Sequence, residues 1–349
     1  MTRDISRLGK GQYDVLIIGG GINGAAIAHL AALNGLKTAL IEKGDFASGT
    51  SSKSTKLIHG GLRYLEKFEF DLVRESLRER SLQLKSAPHL VKPLQFIIPV
   101  FKDDARPFWM MRLGVKLYDF LSGKNHIGKH QAITKEQVVN GIPDIKQDGL
   151  VGGMIYYDAQ MDDARLCLEN ILSAKEKGAH VANYTEARTF IQEHGKTIGV
   201  VAQDILGKKI FDIRAKKVIC AAGPWINQFK NRENSRSPHK IRTTKGVHLI
   251  YSEKFSEKAL LLTTQKDRRI FFVIPWHDHS LVGTTDTDYE GNPDLAAVEE
   301  EDIAYLMENL KRFFPTKHLD RSKIITTFAG LRSLVYSEGK PSSVFRRDL

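Results

Sequence analysis

Six residues near the start of the chain, Gly19-Gly20-Gly21-Ile22-Asn23-Gly24, have the spacing G-x-G-x-x-G and follow directly on a short apolar run, Tyr13 to Ile18. Glycines so placed let backbone N–H groups approach a pyrophosphate at the start of a helix, where the helix dipole favours an anion. Glu42 stands 18 residues after Gly24, where a carboxylate closing a second strand accepts hydrogen bonds from an adenosine ribose. Together these residues point to a dinucleotide and leave FAD and NAD both open.

The elements that must position them are legible in the same stretch. Tyr13-Asp14-Val15-Leu16-Ile17-Ile18 reads as a buried parallel strand, Ile22 to Asn34 as an Ala-rich helix stopping at Asn34-Gly35, and Lys37 to Glu42 as a second strand. This β-α-β unit is half of a doubly wound dinucleotide fold. Residues 67–86 carry apolar positions at helical spacing, and Asp162 is the N-cap of a helix running to Lys177. Pro93 to Phe101 reads as a strand, and Phe108 to Leu121 as an apolar helix expected to pack in the core, with lipid contact through Trp109, Met110 and Met111 as the alternative. Short β-rich runs follow from His180 to Ala221, then at Val247–Tyr251, Arg269–Pro275 and Ser280–Thr284, in an order that suggests an antiparallel sheet. Asn231 to Lys240 is the most linker-like segment.

Composition narrows the class. With 349 residues, 42% hydrophobic and 27% charged, the chain reads as globular, with two domains expected. The 52 Lys+Arg against 41 Asp+Glu leave a formal charge of +11, which suits an anionic ligand or an anionic membrane surface. The basic residues are dispersed and form no recognisable nucleic-acid module, so no nucleic acid is expected. Cys167 and Cys220, both in apolar stretches, read as buried thiols of a reducing compartment. No run reaches the ~20 apolar residues of a membrane-spanning helix, so membrane contact is expected to be peripheral.

Thr50-Ser51-Ser52-Lys53-Ser54-Thr55-Lys56-Leu57-Ile58-His59-Gly60-Gly61-Leu62-Arg63-Tyr64-Leu65 closely resembles the T-S-S-x-x-S-x-K-L-I-H-G-G-L-R-Y-L signature of FAD-dependent glycerol-3-phosphate dehydrogenases, within the wider D-amino-acid-oxidase-like flavoprotein group. Further segments stand in the family's order, among them Met161-Asp162-Asp163-Ala164-Arg165-Leu166, Ala222-Gly223-Pro224-Trp225, Thr244-Lys245-Gly246-Val247-His248, Gly283-Thr284-Thr285-Asp286 and Ala329-Gly330-Leu331-Arg332. The resemblance covers essentially residues 13–348; Ser333 departs from it, standing where the family often has Pro.

The resemblance implies an α/β chain: a Rossmann-like FAD-binding domain (11–90, 150–235 and 322–349) beside a second α+β substrate domain on an antiparallel sheet (91–149 and 236–321). It implies FAD held by Gly19, Gly21, Ile22, Asn23, Gly24, Glu42, Lys43, Thr50, Ser51, Ser52, Lys56, Leu57, His59, Gly60, Gly61, Ala222, Gly223 and Trp225. Hydroxyls and amides at Thr50 to Ser52 can donate to a diphosphate, and Gly60 and Gly61 leave bare backbone for a flat ring. Arg63 and Arg332 are the cations expected on a substrate phosphate, with Tyr64 adding a hydroxyl. His248 is the expected general base and Arg332 an electrostatic partner, while no metal site is expected.

The implied reaction is oxidation of sn-glycerol 3-phosphate to dihydroxyacetone phosphate by hydride transfer from C2 to flavin N5, with a quinone as electron acceptor. An oxidase passing electrons to oxygen and a shortened, inactive flavoprotein are the alternatives. The implied setting is cytoplasmic, on the inner face of the membrane, and a homodimer is compatible with it. Relatives continue with a G-G-K-L-T-T-Y-R-type segment and a helical C-terminal domain, whereas this sequence stops at Arg346-Arg347-Asp348-Leu349, so an open flavin site with weak turnover is expected of the chain as it stands.

Overall fold

The computed structural model describes residues 3–233, 241–264 and 267–335, so most of the expected linker at Asn231 to Lys240 lies outside the described residues. In chain order the strands are β1 (Gln12–Ile18), β2 (Thr38–Ile41), β3 (Leu57–Ile58), β4 (Val91–Phe101), β5 (Gln131–Thr134), β6 (Leu150–Met161), β7 (His180–Ala182), β8 (Thr185–Glu193), β9 (Lys196–Asp204), β10 (Ile210–Cys220), β11 (Ile241–Tyr251), β12 (Ala259–Thr263), β13 (Ile270–Trp276), β14 (His279–Gly283), β15 (Thr287–Tyr289) and β16 (Ile324–Val335). The helices are α1 (Ile5–Leu8), α2 (Ile22–Leu33), α3 (Phe70–Ser86), α4 (Phe108–Ser122), α5 (Lys135–Gly141), α6 (Asp163–Glu176), α7 (Ile226–Glu233) and α8 (Glu300–Phe313).

The first sheet runs β7-β2-β1-β10-β9-β8. β1 pairs in parallel with β2 and β10, and β2 with β7, while the β8–β9 hairpin adds antiparallel strands at the far edge. β1 is apolar on both faces because both are covered, as parallel sheets require. On one side Ala25, Ala28 and Ala32 of α2 pack with Cys167, Ile171 and Ala174 of α6. The small alanines bring α2 close to the sheet, and Asn34 with Gly35 at φ +77° ends it as the sequence suggests. Asp162 caps α6, its carboxylate accepting the Arg165 N–H.

The second sheet is almost wholly antiparallel, in the order β15-β11-β14-β13-β12-β4-β6-β3, with β16 on β11 and β5 on β6; β12 and β4 alone pair in parallel along it. Its core packs against α8 through Leu306, Leu310 and Phe313. β3, β6 and β16 hydrogen-bond in this second sheet, although the expected boundaries assign 57–58, 150–161 and 322–335 to the cofactor domain.

Two expectations need correction. Core packing of the apolar segment 108–121 holds for one face of α4 only: Val115, Tyr118 and Ser122 form its buried stripe, while Trp109, Leu113 and Phe120 are 67%, 60% and 80% exposed. The helix is apolar on more than one face, and one stripe suffices to dock it. Cys167 is buried, but Cys220 is only half-buried, because it ends β10 where the strand opens toward the glycine turn. Neither β6 nor α8 is anticipated from the sequence. Gly152-Gly153 interrupts the apolar run of β6, whereas Ile303, Leu306, Leu310 and Phe313 stand at helical spacing and are a readable signal for α8.

Candidate active site

The chain turns at Gly19, at φ +111°, where an added Cβ would lie 2.4 Å from the Ala221 carbonyl oxygen. A Cβ on Gly24 would lie 1.9 Å from the Gly19 carbonyl oxygen, so only glycine permits this strand-to-helix turn. Gly21 is the N-cap of α2 and supplies no side-chain acceptor; Ile22 donates its N–H to the Ser51 hydroxyl at 2.8 Å, and Ile22 and Asn23 are exposed. No acidic residue stands in the first turn, so the positive end of the helix dipole is left for an anion. Glu42 clamps the turn, accepting the Gly20 N–H at 2.7 Å and the Gly44 N–H at 2.8 Å. Its remaining lone pairs are what a ribose can use.

Lys43 lies 4.5 Å from the Trp225 ring centre and pairs with Asp294 at 2.5 Å, and the Trp225 indole N–H donates to the same carboxylate at 2.9 Å. Asp294 is thus a member of this group that sequence reasoning missed. Ala222 and Gly223 form the turn after β10, beside Gly19.

The hydroxyl-rich stretch is tied into the protein. The Thr50 hydroxyl donates to the Leu331 carbonyl at 2.7 Å and Ser52 to the Gly49 carbonyl at 3.4 Å, so these hydroxyls join the loop to β16 and to itself. Asp163, buried at the start of α6, accepts from the Ser54 hydroxyl at 2.7 Å and the Lys56 ammonium at 2.6 Å. Lys56 also donates to the Ser52 carbonyl and lies against the Trp276 and Phe328 rings. Leu57 is buried in β3.

A cross-strand row of the second sheet forms the other end of the site. Phe328 on β16 faces His248 on β11, His248 faces Gly283 on β14, and Gly283 faces Phe272 on β13. Phe328 stacks on the His248 ring with centroids 4.9 Å apart, and a Cβ on Gly283 would lie 2.3 Å from that ring, so the glycine is where the imidazole finds room. His248 Nε2 meets the Thr55 hydroxyl at 2.9 Å, and buried Nδ1 has no partner. Burial first, then the charges of Arg332 and Lys56, pushes the His248 pKa down to about 3, so the ring is neutral at ordinary pH. Arg332 lies over Gly246, whose added Cβ would touch the guanidinium, and reaches Asp286 at 3.2 Å and the Thr284 hydroxyl at 2.9 Å. Gly246, Gly283, Thr55 and Asp286, which stand in the motif segments but were assigned no site role, are therefore neighbours of His248 and Arg332.

His59 lies at the Phe272 end of the row, its ring tilted over that phenyl at 5.6 Å. Its Nδ1 meets the buried Asp158 carboxylate at 3.1 Å, and Asp158 also accepts the Gly60 N–H at 2.7 Å. Gly61 turns at φ +84°. The Tyr64 ring packs beside Val73 and Leu77, and the side chain of Arg63 lies outside the described residues.

Among the described residues, Asp119, His126 and His130 bring ligand atoms within 4.8 Å of one another, a grouping that sequence spacing did not reveal. His130 is already engaged at both ring nitrogens, Nδ1 with Asp119 and Nε2 with the Tyr157 N–H, so the group closes the end of α4 by hydrogen bonding.

A glycine turn opening a helix, a terminal acid on the second strand and a second, mostly antiparallel sheet define a dinucleotide-binding α/β fold of the kind oxidoreductases use. The family profile "FAD dependent oxidoreductase" matches residues 14–346, and the chain belongs to that family, whose cofactor is FAD. It is 40% identical to the aerobic glycerol-3-phosphate dehydrogenase of Staphylococcus haemolyticus over 97% of this chain and 61% of that protein. It is 41% identical to the alpha-glycerophosphate oxidase of Streptococcus pneumoniae over 96% of this chain and 57% of that protein. The solved glycerol-3-phosphate dehydrogenase of Bacillus halodurans, complexed with FAD, superposes with a TM-score of 0.80 at 33% identity, covering 95% of this chain and 59% of that one. The chain thus spans about three-fifths of the length of the relatives it matches.

Proposed function

We propose that this fold serves oxidation of sn-glycerol 3-phosphate to dihydroxyacetone phosphate. The observation that carries the reading is a neutral His248 on β11 lying within electrostatic reach of the permanent cation Arg332 on the adjacent β16, in a chain about 40% identical to proteins named for that substrate. FAD, when bound, supplies the two-electron acceptor for the hydride leaving C2. The α2 N-terminus with Gly19 to Gly24 would hold its pyrophosphate and Glu42 its ribose, with His59, Gly60 and Gly61 beside the ring.

Arg332 would bind the substrate phosphate, exchanging part of its contact with Asp286 for a stronger anion. His248, being unprotonated, would accept the proton of the C2 hydroxyl. A second reading gives that proton to His59, and one contrast favours it: His248 is buried between two cations, whereas the His59 side chain is 43% exposed with a carboxylate behind it. Anaerobic bleaching of the flavin spectrum on adding glycerol 3-phosphate, and not on adding glycerol, tests substrate class and competence together; no bleaching with either sinks the reading. His248→Ala is expected to slow that bleaching about 100-fold while weakening binding less. A change in affinity alone transfers the base role to His59.

The acceptor proposed is a quinone at the inner face of the cytoplasmic membrane, with oxygen as the alternative that an oxidase relative of equal identity keeps open. No helix among the described residues is long and apolar enough to cross a membrane. The exposed Trp109, Leu113 and Phe120 of α4, flanked by Arg112 and Lys116, support a peripheral contact with anionic lipid. Trp109→Ser with Leu113→Ser should abolish co-flotation with anionic vesicles, and undiminished flotation excludes this face.

A further inference from the structure

Behind the His59-Gly60 turn lies a buried polar cluster that the proposed reaction does not use. Arg80 of α3 is fully buried and donates through Nη1 to the Asp158 carboxylate at 2.9 Å and to the Tyr157 carbonyl at 2.7 Å. Arg80 Nη1 also approaches the Tyr118 hydroxyl of α4 at 3.3 Å, and Nη2 reaches the Asn125 carbonyl at 3.4 Å. Asp158 of β6 is left with one oxygen, Oδ1, shared among Arg80, the Gly60 N–H and the Tyr118 hydroxyl, and the other, Oδ2, facing His59 Nδ1 at 3.1 Å. Packing is tight enough that a Cβ on Gly60 would lie 1.9 Å from the Tyr118 hydroxyl and 2.6 Å from Arg80 Nη1.

A buried guanidinium–carboxylate pair is poor value as a source of stability alone, because desolvation offsets much of its attraction. Its attested use is to fix one arrangement of the groups around it, and here those groups are His59 and Gly60. With Oδ2 an obligatory acceptor, the neutral form of His59 must carry its single proton on Nδ1, which puts the free lone pair on Nε2, on the ring edge away from the carboxylate. The other neighbour on the ring is the apolar Phe272 of β13, which holds its tilt without offering a competing hydrogen bond.

We infer that Asp158, locked in place by Arg80, is a positioning residue that sets the tautomer and orientation of His59 and the path of the Gly60 turn at the flavin end of the site. The juxtaposition comes from three elements distant in sequence, α3, α4 and β6. Its consequence for turnover rests on the function proposed above; its consequence for the His59 tautomer does not.

Asp158→Asn tests it in the flavin-loaded chain, because asparagine keeps the shape but can present an NH2 where Oδ2 stood. Nitrogen-15 spectra of labelled histidine, taken at a pH where imidazole is neutral, should place the wild-type His59 proton on Nδ1 and move it toward Nε2 in the variant. In the same variant the limiting rate of flavin reduction should fall about 10- to 100-fold, the usual cost of losing an outer partner of a working histidine, with KM changed less. Arg80→Lys, which keeps the Asp158 carboxylate and so the Nδ1 proton but not the fork that holds it, should give a smaller loss of rate with the tautomer unchanged, and Asp158→Ala, which removes the acceptor, serves if Asp158→Asn does not fold. An unaltered His59 tautomer in folded Asp158→Asn, or in folded Asp158→Ala should the former not fold, overturns the inference. A shifted tautomer in a chain that glycerol 3-phosphate never reduces leaves it standing and rejects the proposed substrate.

Discussion

The two ends of the site are built in different ways. The dinucleotide end is built mainly on one continuous stretch, β1, the glycine turn, α2 and β2 with Glu42, joined by the turn at Ala221 to Gly223, and its geometry is enforced by backbone contacts such as the close approach of Gly24 to the Gly19 carbonyl. The opposite end is assembled from β11, β13, β14 and β16 plus the loop at Thr55, and its geometry is enforced by side chains filling space vacated by Gly246 and Gly283. A backbone-enforced site tolerates almost no change at its glycines. A side-chain-enforced site can tune burial and charge, as the depressed pKa of His248 illustrates.

The sharpest way to break the comparison is Gly24→Ala. Its Cβ meets backbone 1.9 Å away, which no side-chain rotation relieves, so destabilisation of about 3 kcal/mol and loss of bound FAD are expected. Urea unfolding and flavin absorbance after gel filtration measure both; normal FAD retention would show that the turn is not backbone-limited.

His248 sharpens the other half. Its folded pKa of about 3 lies below the ordinary value near 6.5, so between those limits the unfolded chain binds one more proton than the folded one. That contribution is present above pH 6.5 and is lost as pH falls, at about 1.4 kcal/mol per pH unit once the unfolded imidazole is charged. Denaturation of the flavin-free chain at a series of pH values should show wild type losing this increment between about pH 6 and pH 4 relative to His248→Gln. Parallel curves for the two proteins would mean that His248 is not held neutral by burial.

The smallest effect is expected where the ends meet the surface. Lys43 and Asp294 are 36% and 47% exposed, so Lys43→Ala should cost about 0.5 kcal/mol, diminishing as salt is raised. A salt-independent loss of several times that size would place Lys43 in a buried network instead.

How much of this was readable follows the same division. The glycine turn, its helix and Glu42 were legible because their residue types and spacing stand together in one stretch, and the 50–65 signature was legible by resemblance. The long strand β6 was not: Gly152-Gly153 breaks its pattern, and Asp158 within it shows its value only when α3 delivers Arg80. Core packing of α4 held for one face only, since a helix apolar on several faces does not declare which face is covered.

By itself, then, the sequence determined the β-α-β unit and the candidate anion-binding helix start, because these depend on residue type and local spacing, while His59, His248 and Arg332 became candidates through the family resemblance. Tertiary structure decided what those candidates experience: that Phe328, His248, Gly283 and Phe272 share one cross-strand row, that His248 is buried beside Arg332 and Lys56, and that His59 is backed by Asp158. Strand register and desolvation are long-range properties, set when distant segments pack, and no local pattern encodes them.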